Sequence, residues 1–334
     1  HELGHKVIVL HRGEHEADLP PAVEHLHHPS FNWGDRVGFE QFASEFKRFA
    51  PDVVLDMILC TEHDAQTVMQ TFKGIAGHLI AISSMDVYRA AGRVNRTEPG
   101  PIEPMPLTED SPLREKLFTA RRETRREAND PLRWLDDYEK ILVERTVMSE
   151  PALPGTILRW PAVYGPRDLQ HRLFSYLKRM DDGRRAIILG EGLAHWRWSR
   201  GYAENIAEAT ILAVTNARST GRIYNVAEQE APSEAEWVKR IASAANWKGE
   251  VVVVPKDRVQ PWMEWGNNTD QDWVGDTTRI RQELGYKEIM PQVEALRRTV
   301  EWERANPPTE INPEQFDYAR EDAFLAEIGW RKAN

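Results

Sequence analysis

The stretch Ser83-Ser84-Met85-Asp86-Val87-Tyr88 closes an apolar run, His78 to Ser83, that reads as a buried strand. Upstream, His63 to Ile75 has the pattern of a helix, and Val53 to Cys60, after Pro51-Asp52, predicts another buried strand. Further back, Lys6 to Leu10 reads as a strand closing at His11-Arg12-Gly13, with His1 to Gly4 as the tail of a helix. Downstream, strands are expected at Ile157 to Trp160, at Ile187 to Leu189 and at Ile223 to Val226. The last is followed by Pro232-Ser233-Glu234, the start of a capped helix. Apolar runs alternating with amphipathic stretches imply a parallel sheet flanked by helices, the α/β class.

Between these elements, residues 90–130 are polar and charged, with Pro99, Pro101, Pro104, Pro106 and Pro112 in the first part. This reads as a long surface insertion. Over 334 residues, 43 basic against 53 acidic side chains give a net charge of −10 without a long basic run, which disfavours a nucleic-acid partner. No apolar stretch approaches the roughly 20 residues that span a bilayer, and no signal-peptide core is visible, so no membrane partner is expected and the cytoplasm is the default compartment. The single cysteine, Cys60, excludes an internal disulfide framework and a cysteine metal cluster; its thiol reads as buried filler.

Two further segments complete a pattern with Ser83–Tyr88. They are Asp136-Asp137-Tyr138-Glu139-Lys140 with Glu144, and Leu158-Arg159-Trp160-Pro161-Ala162-Val163-Tyr164-Gly165-Pro166. In order and spacing the three resemble an extended (atypical) short-chain dehydrogenase/reductase of the NAD-dependent epimerase/dehydratase family. Arg222-Ile223-Tyr224-Asn225-Val226-Ala227 and Asp276-Thr277-Thr278-Arg279 through Glu283-Leu284-Gly285-Tyr286 are similar to that family's later signatures, so the likeness covers about residues 1–303. It implies a Rossmann-like doubly wound parallel sheet with a smaller C-terminal substrate lobe. Residues 1–165 are then the dinucleotide-binding lobe, 166–303 mainly the substrate-binding lobe and 304–334 a C-terminal extension. In such a fold a first strand and a Gly-rich turn precede the strand at Lys6–Leu10; neither is present in these residues, and a native product longer at its N-terminus is expected.

The resemblance also implies hydride transfer between NAD or NADP and a nucleotide sugar or similar hydroxyl-bearing small molecule. In such enzymes a tyrosine exchanges a proton with the substrate, a lysine one turn later lowers its pKa and binds the nicotinamide ribose, and a Ser or Thr hydrogen-bonds the reacting oxygen. Ser84 matches the hydroxyl, and Lys140 with Glu144 the lysine-to-glutamate spacing. Counting back from Lys140 lands on Asp136 instead of a tyrosine, and Tyr138 sits about 200° around an ideal helix from Lys140. Three readings follow: an irregular helix start, with Asp136 or Asp137 as N-cap, that swings Tyr138 into the site; Asp136 as the base of a different reaction; or a non-catalytic dinucleotide-binding sensor or RNA-associated scaffold. The first is favoured.

Beside the cofactor the resemblance implies Arg12, Cys60, Ser83, Lys140, Pro161 and Val163, and beside the substrate Asp86, Ala162, Arg167, Arg197 and Arg200. Such epimerases often carry Asn where Ala162 stands, while the three arginines are suited to phosphate. Trp160, Trp196 and Trp198 are candidates for a stacking wall, and His171 and His195 for proton shuttles. Arg12, where an acidic residue would repel a 2′-phosphate, tilts the expectation towards NADP. A homodimer through the helix holding Lys140 is implied as well. His1-Glu2-Leu3-Gly4-His5 matches HExxH, but a glycine and an immediate strand break the helix that zinc ligation needs. Seven of the eleven histidines precede residue 29, including His25, His27 and His28; they read as a solvated surface with adventitious metal affinity, and no metal site is expected.

Overall fold

A computed structural model of the chain describes residues 1–13, 19–28, 36 and 38–331. The expected apolar runs form strands: β1 (Ile8–His11), β2 (Glu24–His27), β3 (Val53–Asp56), β4 (His78–Ser84), β5 (Gly155–Trp160) and β6 (Ala162–Tyr164). They continue with β7 (Ala186–Gly190), β8 (Arg200–Tyr202), β9 (Ile223–Asn225) and β10 (Glu250–Val254). A four-stranded sheet runs in the order β3-β4-β5-β9, while β1 pairs with β2, β6 with β8 and β7 with β10. The pairs β1–β2, β3–β4, β6–β8 and β7–β10 are parallel. His1–Gly4, expected as a helix tail, is a turn closed by Gly4 N–H on the His1 carbonyl, with Gly4 at φ +86°.

The chain divides into two compact units that interleave along the sequence. One contains residues 1–83, 117–157 and 220–222, the other 84–116, 158–219 and 223–334. Residues 90–130 therefore divide at Lys116, and their first part is no solvated loop, since Ala90, Ala91, Val94, Leu107, Glu98, Glu109 and Arg114 are buried.

In the first unit β4 is buried nearly throughout, as a continuous apolar run requires of an interior parallel strand. β3 is shorter than the expected span to Cys60, and Leu55 is 39% exposed. It stops where the Asp56 carboxylate turns back to accept the Ile58 amide at 3.0 Å and takes Arg36 at 2.9 and 2.8 Å. The following helix, Glu62–Phe72, starts on a capping box between Thr61 and Asp64 and packs Ala65, Val68, Met69 and Phe72 inward, against the helix Lys140–Met148.

The second unit gathers an aromatic-rich core in which Tyr164, Tyr176, Trp196, Tyr202 and Trp237 are all buried. The expected cap is present: Ser233 and Glu236 form a capping box at the head of the helix Glu234–Ala244. Gly165 follows Tyr164 at φ +147°, where a Cβ would lie 3.2 Å from both Ala203 and the Tyr202 ring, so only glycine turns the chain there. In the C-terminal segment, Phe324 and Leu325 of the helix Tyr318–Glu327 pack on Ala186, Val252 and Val254.

Candidate active site

In the first unit the helix carrying Lys140 begins at Lys140 itself. Glu139, in extended conformation (φ −160°, ψ 99°), is the N-cap and accepts the Ile141 amide at 3.1 Å. The cap is thus Glu139, not Asp136 or Asp137 as expected; Arg133–Asp136 form a separate short 3₁₀ helix, and Asp137 and Tyr138 lie outside any helix. The Glu139 amide donates to the Cys60 carbonyl at 3.0 Å, and Tyr138 bridges Thr61 in antiparallel fashion. Helical counting from Lys140 therefore does not place Tyr138 on the far face. Its ring centroid lies 5.9 Å from the Lys140 Nζ, and it packs edge-on against Trp134.

Lys140 is buried, and its ammonium donates to the Leu59 carbonyl at 2.5 Å and the Ile82 carbonyl at 2.9 Å. One turn on, Glu144 accepts the Ser83 hydroxyl at 2.6 Å, both groups being buried. Lysine and glutamate thus fasten one helix face to the end of β4 and to the segment that follows β3. The Cys60 thiol is buried and raised to about 11 by desolvation, which makes it inert filler.

Asp136 is not available as a base. Its carboxylate, wholly buried, takes the Arg126 amide at 2.8 Å, the Arg126 guanidinium, and Arg133 at 3.3 Å. Desolvation alone pushes its pKa up, but the Arg126 hydrogen bonds and the charges of Arg126 and Arg133 outweigh it and hold the group below the usual carboxylate range. A carboxylate so stabilised is a weak proton acceptor, and its place in the fold is to order the residues before the helix.

In the second unit a half-open cavity of about 180 Å³ is lined by Ser84, Trp160, Pro161, Ala162, Trp198 and Trp273, among others. Small-molecule sites typically hold roughly 300–1,000 Å³, so this is the size of a subsite for one ring. Ser84 caps the turn after β4, accepting the Asp86 amide at 3.1 Å. Asp86 follows in that turn, and its carbonyl accepts Arg114 at 2.6 Å. Among the described residues the indole N–H groups of Trp160 and Trp198 are buried without a hydrogen-bond partner, while that of Trp273 donates to the Met85 carbonyl at 3.0 Å.

The other expected site residues are dispersed. Arg200 is buried and paired with Glu234, with its guanidinium over Trp198 and Trp237. Burial and this pairing remove it from phosphate binding. Arg197 donates to the Ala231 carbonyl at 2.8 Å, Arg167 is exposed at φ +70°, and the Val163 carbonyl accepts Arg172 at 2.7 Å. Trp196 stacks on Trp198 at 5.4 Å from within the core, and its indole N–H bonds the Gln271 carbonyl. His171 is held by Glu303 at 2.6 Å, and His195 is exposed at a helix end. Arg12 follows β1, half-buried.

The sequence reading missed a polar core that joins the signature segments within the second unit. Tyr88 donates to Asn225 at 2.6 Å and accepts Arg159 at 2.9 Å; Arg159 also bonds the Glu109 carbonyl, and Asn225 reaches the carbonyls of Leu107 and Asp276. Tyr224 donates to Glu283 at 2.8 Å. Burial pushes the Tyr88 hydroxyl up to about 12, so it stays protonated and donates. The available signal was Arg159 inside an apolar strand, because a buried guanidinium demands acceptors. Tyr88→Phe is expected to lower stability by about 1–3 kcal/mol in urea unfolding, since it strands two buried partners; an unchanged midpoint would show the network to be dispensable.

Residues 121–227 match the model described as "NAD dependent epimerase/dehydratase family". A dTDP-glucose 4,6-dehydratase of Streptomyces griseus is 26% identical over 243 residues, covering 72% of this chain and 63% of that protein. Among solved structures, UDP-glucose 4-epimerase of Thermotoga maritima superposes with a TM-score of 0.61 at 17% identity, covering 92% of this chain and 93% of that one. The Bordetella bronchiseptica enzyme WbmH in complex with NAD+ does so at 0.60 and 15%, covering 92% of each. The chain spans 63% of the Streptomyces dehydratase and 42% of a mouse dTDP-D-glucose 4,6-dehydratase. The chain shares the Rossmann-like α/β fold of these solved structures over most of its length, and its residues 121–227 match the NAD-dependent epimerase/dehydratase model. No helix among the described residues is long and apolar enough to cross a membrane.

Proposed function

We propose that this chain is an NAD(P)-dependent oxidoreductase of the epimerase/dehydratase type, acting on a nucleotide sugar or a similar hydroxyl-bearing small molecule. The observation that carries the reading is the buried turn from Lys140 to Glu144, whose ammonium is fixed by the carbonyls of Leu59 and Ile82 and, among the described residues, retains a third N–H beyond those two bonds. That donor set fits a nicotinamide ribose. The bound dinucleotide supplies the hydride acceptor. Lys140 orients its ribose, and Tyr138, whose ring lies beside the ammonium, exchanges the substrate proton. Ser83 and Cys60 contribute backbone edge, as the Ser83 hydroxyl is taken by Glu144. Arg12, at the end of β1, serves the adenosine end and suits a 2′-phosphate, giving NADP a slight preference. In the second unit the Ser84 hydroxyl and the indoles of Trp160 and Trp198 hold the hydroxyl-bearing ring, with Pro161 and Ala162 as its floor.

Titration with NAD+ and NADP+ by calorimetry, followed by a product screen over UDP- and dTDP-sugars, tests the reading. Binding of one dinucleotide and conversion of at least one sugar are expected, with Tyr138→Phe binding normally but turning over about 10²-fold more slowly. Binding without conversion of any sugar would favour a non-catalytic sensor, and no binding would sink the oxidoreductase reading.

A further inference from the structure

We propose that His11, His25 and His27 form a binding site for a divalent transition-metal ion of the zinc class, independent of the dinucleotide reading. The placement follows from strand register. β1 and β2 are parallel with His11 opposite His27 and Val9 opposite His25. Side chains two apart on a strand share a face, and so do register partners across a pair, so all three imidazoles emerge on one side. Their ligating nitrogens lie within 4.8 Å of one another. The His11 and His27 rings meet edge-on at 4.7 Å, and His11 Nε2 lies 2.8 Å from His25 Nδ1.

The hydrogen bonds define how an ion enters. The Gly13 amide donates to His11 Nδ1 at 3.1 Å, so that nitrogen is an acceptor and the His11 proton sits on Nε2, directed at His25 Nδ1. His25 therefore already presents a lone pair inward. For His11 to ligate through Nε2, its proton moves to Nδ1 through solvent and the Gly13 bond is given up. Around a zinc ion at 2.0–2.1 Å the ligand nitrogens stand roughly 3.3 Å apart, so closure from the present spacing needs side-chain rotation only. Three imidazoles suit zinc, copper or nickel, and among the described residues no fourth ligand joins them. Gly13, at φ +84°, lies against His27, where a Cβ would stand 3.2 Å from the ring, so the turn after β1 is built onto the cluster. A bound ion would pin that turn, and Arg12 within it, to β2.

Calorimetry of the full chain with zinc chloride tests the site, with Co2+ absorption reporting nitrogen ligation. One ion per chain is expected, with a melting temperature that rises with zinc concentration because only the folded state presents the three rings together. His25→Gln and His27→Gln are each expected to weaken binding by at least about tenfold, and circular dichroism of each variant confirms folding. A His1→Gln/His5→Gln variant is expected to bind as the parent does. No stoichiometric zinc, affinity that survives in both His25→Gln and His27→Gln, or affinity that disappears with His1 and His5 would each overturn the site and leave adventitious surface binding.

Discussion

Replacing Lys140 by methionine is expected to reduce turnover of the proposed reaction by about 10²–10⁴-fold, the range associated with a positioned proton-transfer group and its charge. Methionine keeps most of the length and volume of the stem, so the change isolates the ammonium. That ammonium has two duties. Toward the protein it satisfies the carbonyls of Leu59 and Ile82, and losing both bonds strands two buried acceptors at a cost of about 1–3 kcal/mol. Toward the site it places a positive charge 5.9 Å from the Tyr138 ring and offers its remaining N–H. Urea unfolding measures the first, and turnover per folded molecule measures the second. A variant that loses stability but keeps its turnover would make Lys140 a structural staple alone and would withdraw the Tyr138–Lys140 assignment. Tyr138→Phe serves as the internal comparison, since it removes the hydroxyl while leaving the staple in place.

Where a structural role shows as local patterning, the sequence was legible. The seven-residue β4 and the capped helix after Pro232 announce themselves by a continuous apolar run and by Ser233 with Glu236. Partners far along the chain were not legible. Asp136 falls at the motif spacing of a tyrosine, and only the fold shows that Arg126, ten residues back in a polar stretch, neutralises it. The sequence reading gives the N-cap to Asp136 or Asp137, but the Glu139 amide pairs with the Cys60 carbonyl and its side chain accepts the Ile141 amide, so the helix starts one residue after Glu139. β3 ends early because Asp56 finds Arg36, a contact with no periodic signature. In the Ser83-to-Tyr88 stretch the sequence reading assigns roles to Ser83, Ser84 and Asp86 and none to Tyr88, whose place in the buried network with Arg159 and Asn225 depends on partners more than 70 residues away.

Arg200 shows the same limit most strongly, and Arg200→Ala is expected to be the most destabilising of the substitutions considered, at about 3–5 kcal/mol, the usual cost of breaking a buried ion pair from one side. Its guanidinium lies between the rings of Trp198 and Trp237, 4.9 and 4.5 Å from their centroids, and pairs with Glu234, which also accepts the Tyr176 hydroxyl at 2.8 Å. Burial pushes the arginine's pKa down, against the pull of the Glu234 charge; the same burial, reinforced by Glu234, pushes the tyrosine's up. Truncating the arginine leaves a buried carboxylate with, among the described residues, only the Tyr176 hydroxyl to answer it. The double variant Arg200→Met/Glu234→Leu removes both charges and is expected to recover part of the loss, leaving mainly the cost of the stranded Tyr176 hydroxyl, about 1–3 kcal/mol. Urea midpoints at neutral pH separate the cases, and because the pair is desolvated the difference should persist at high salt. An Arg200→Ala variant with parental stability but weakened affinity for a phosphate-bearing sugar would reverse the assignment and return Arg200 to the substrate.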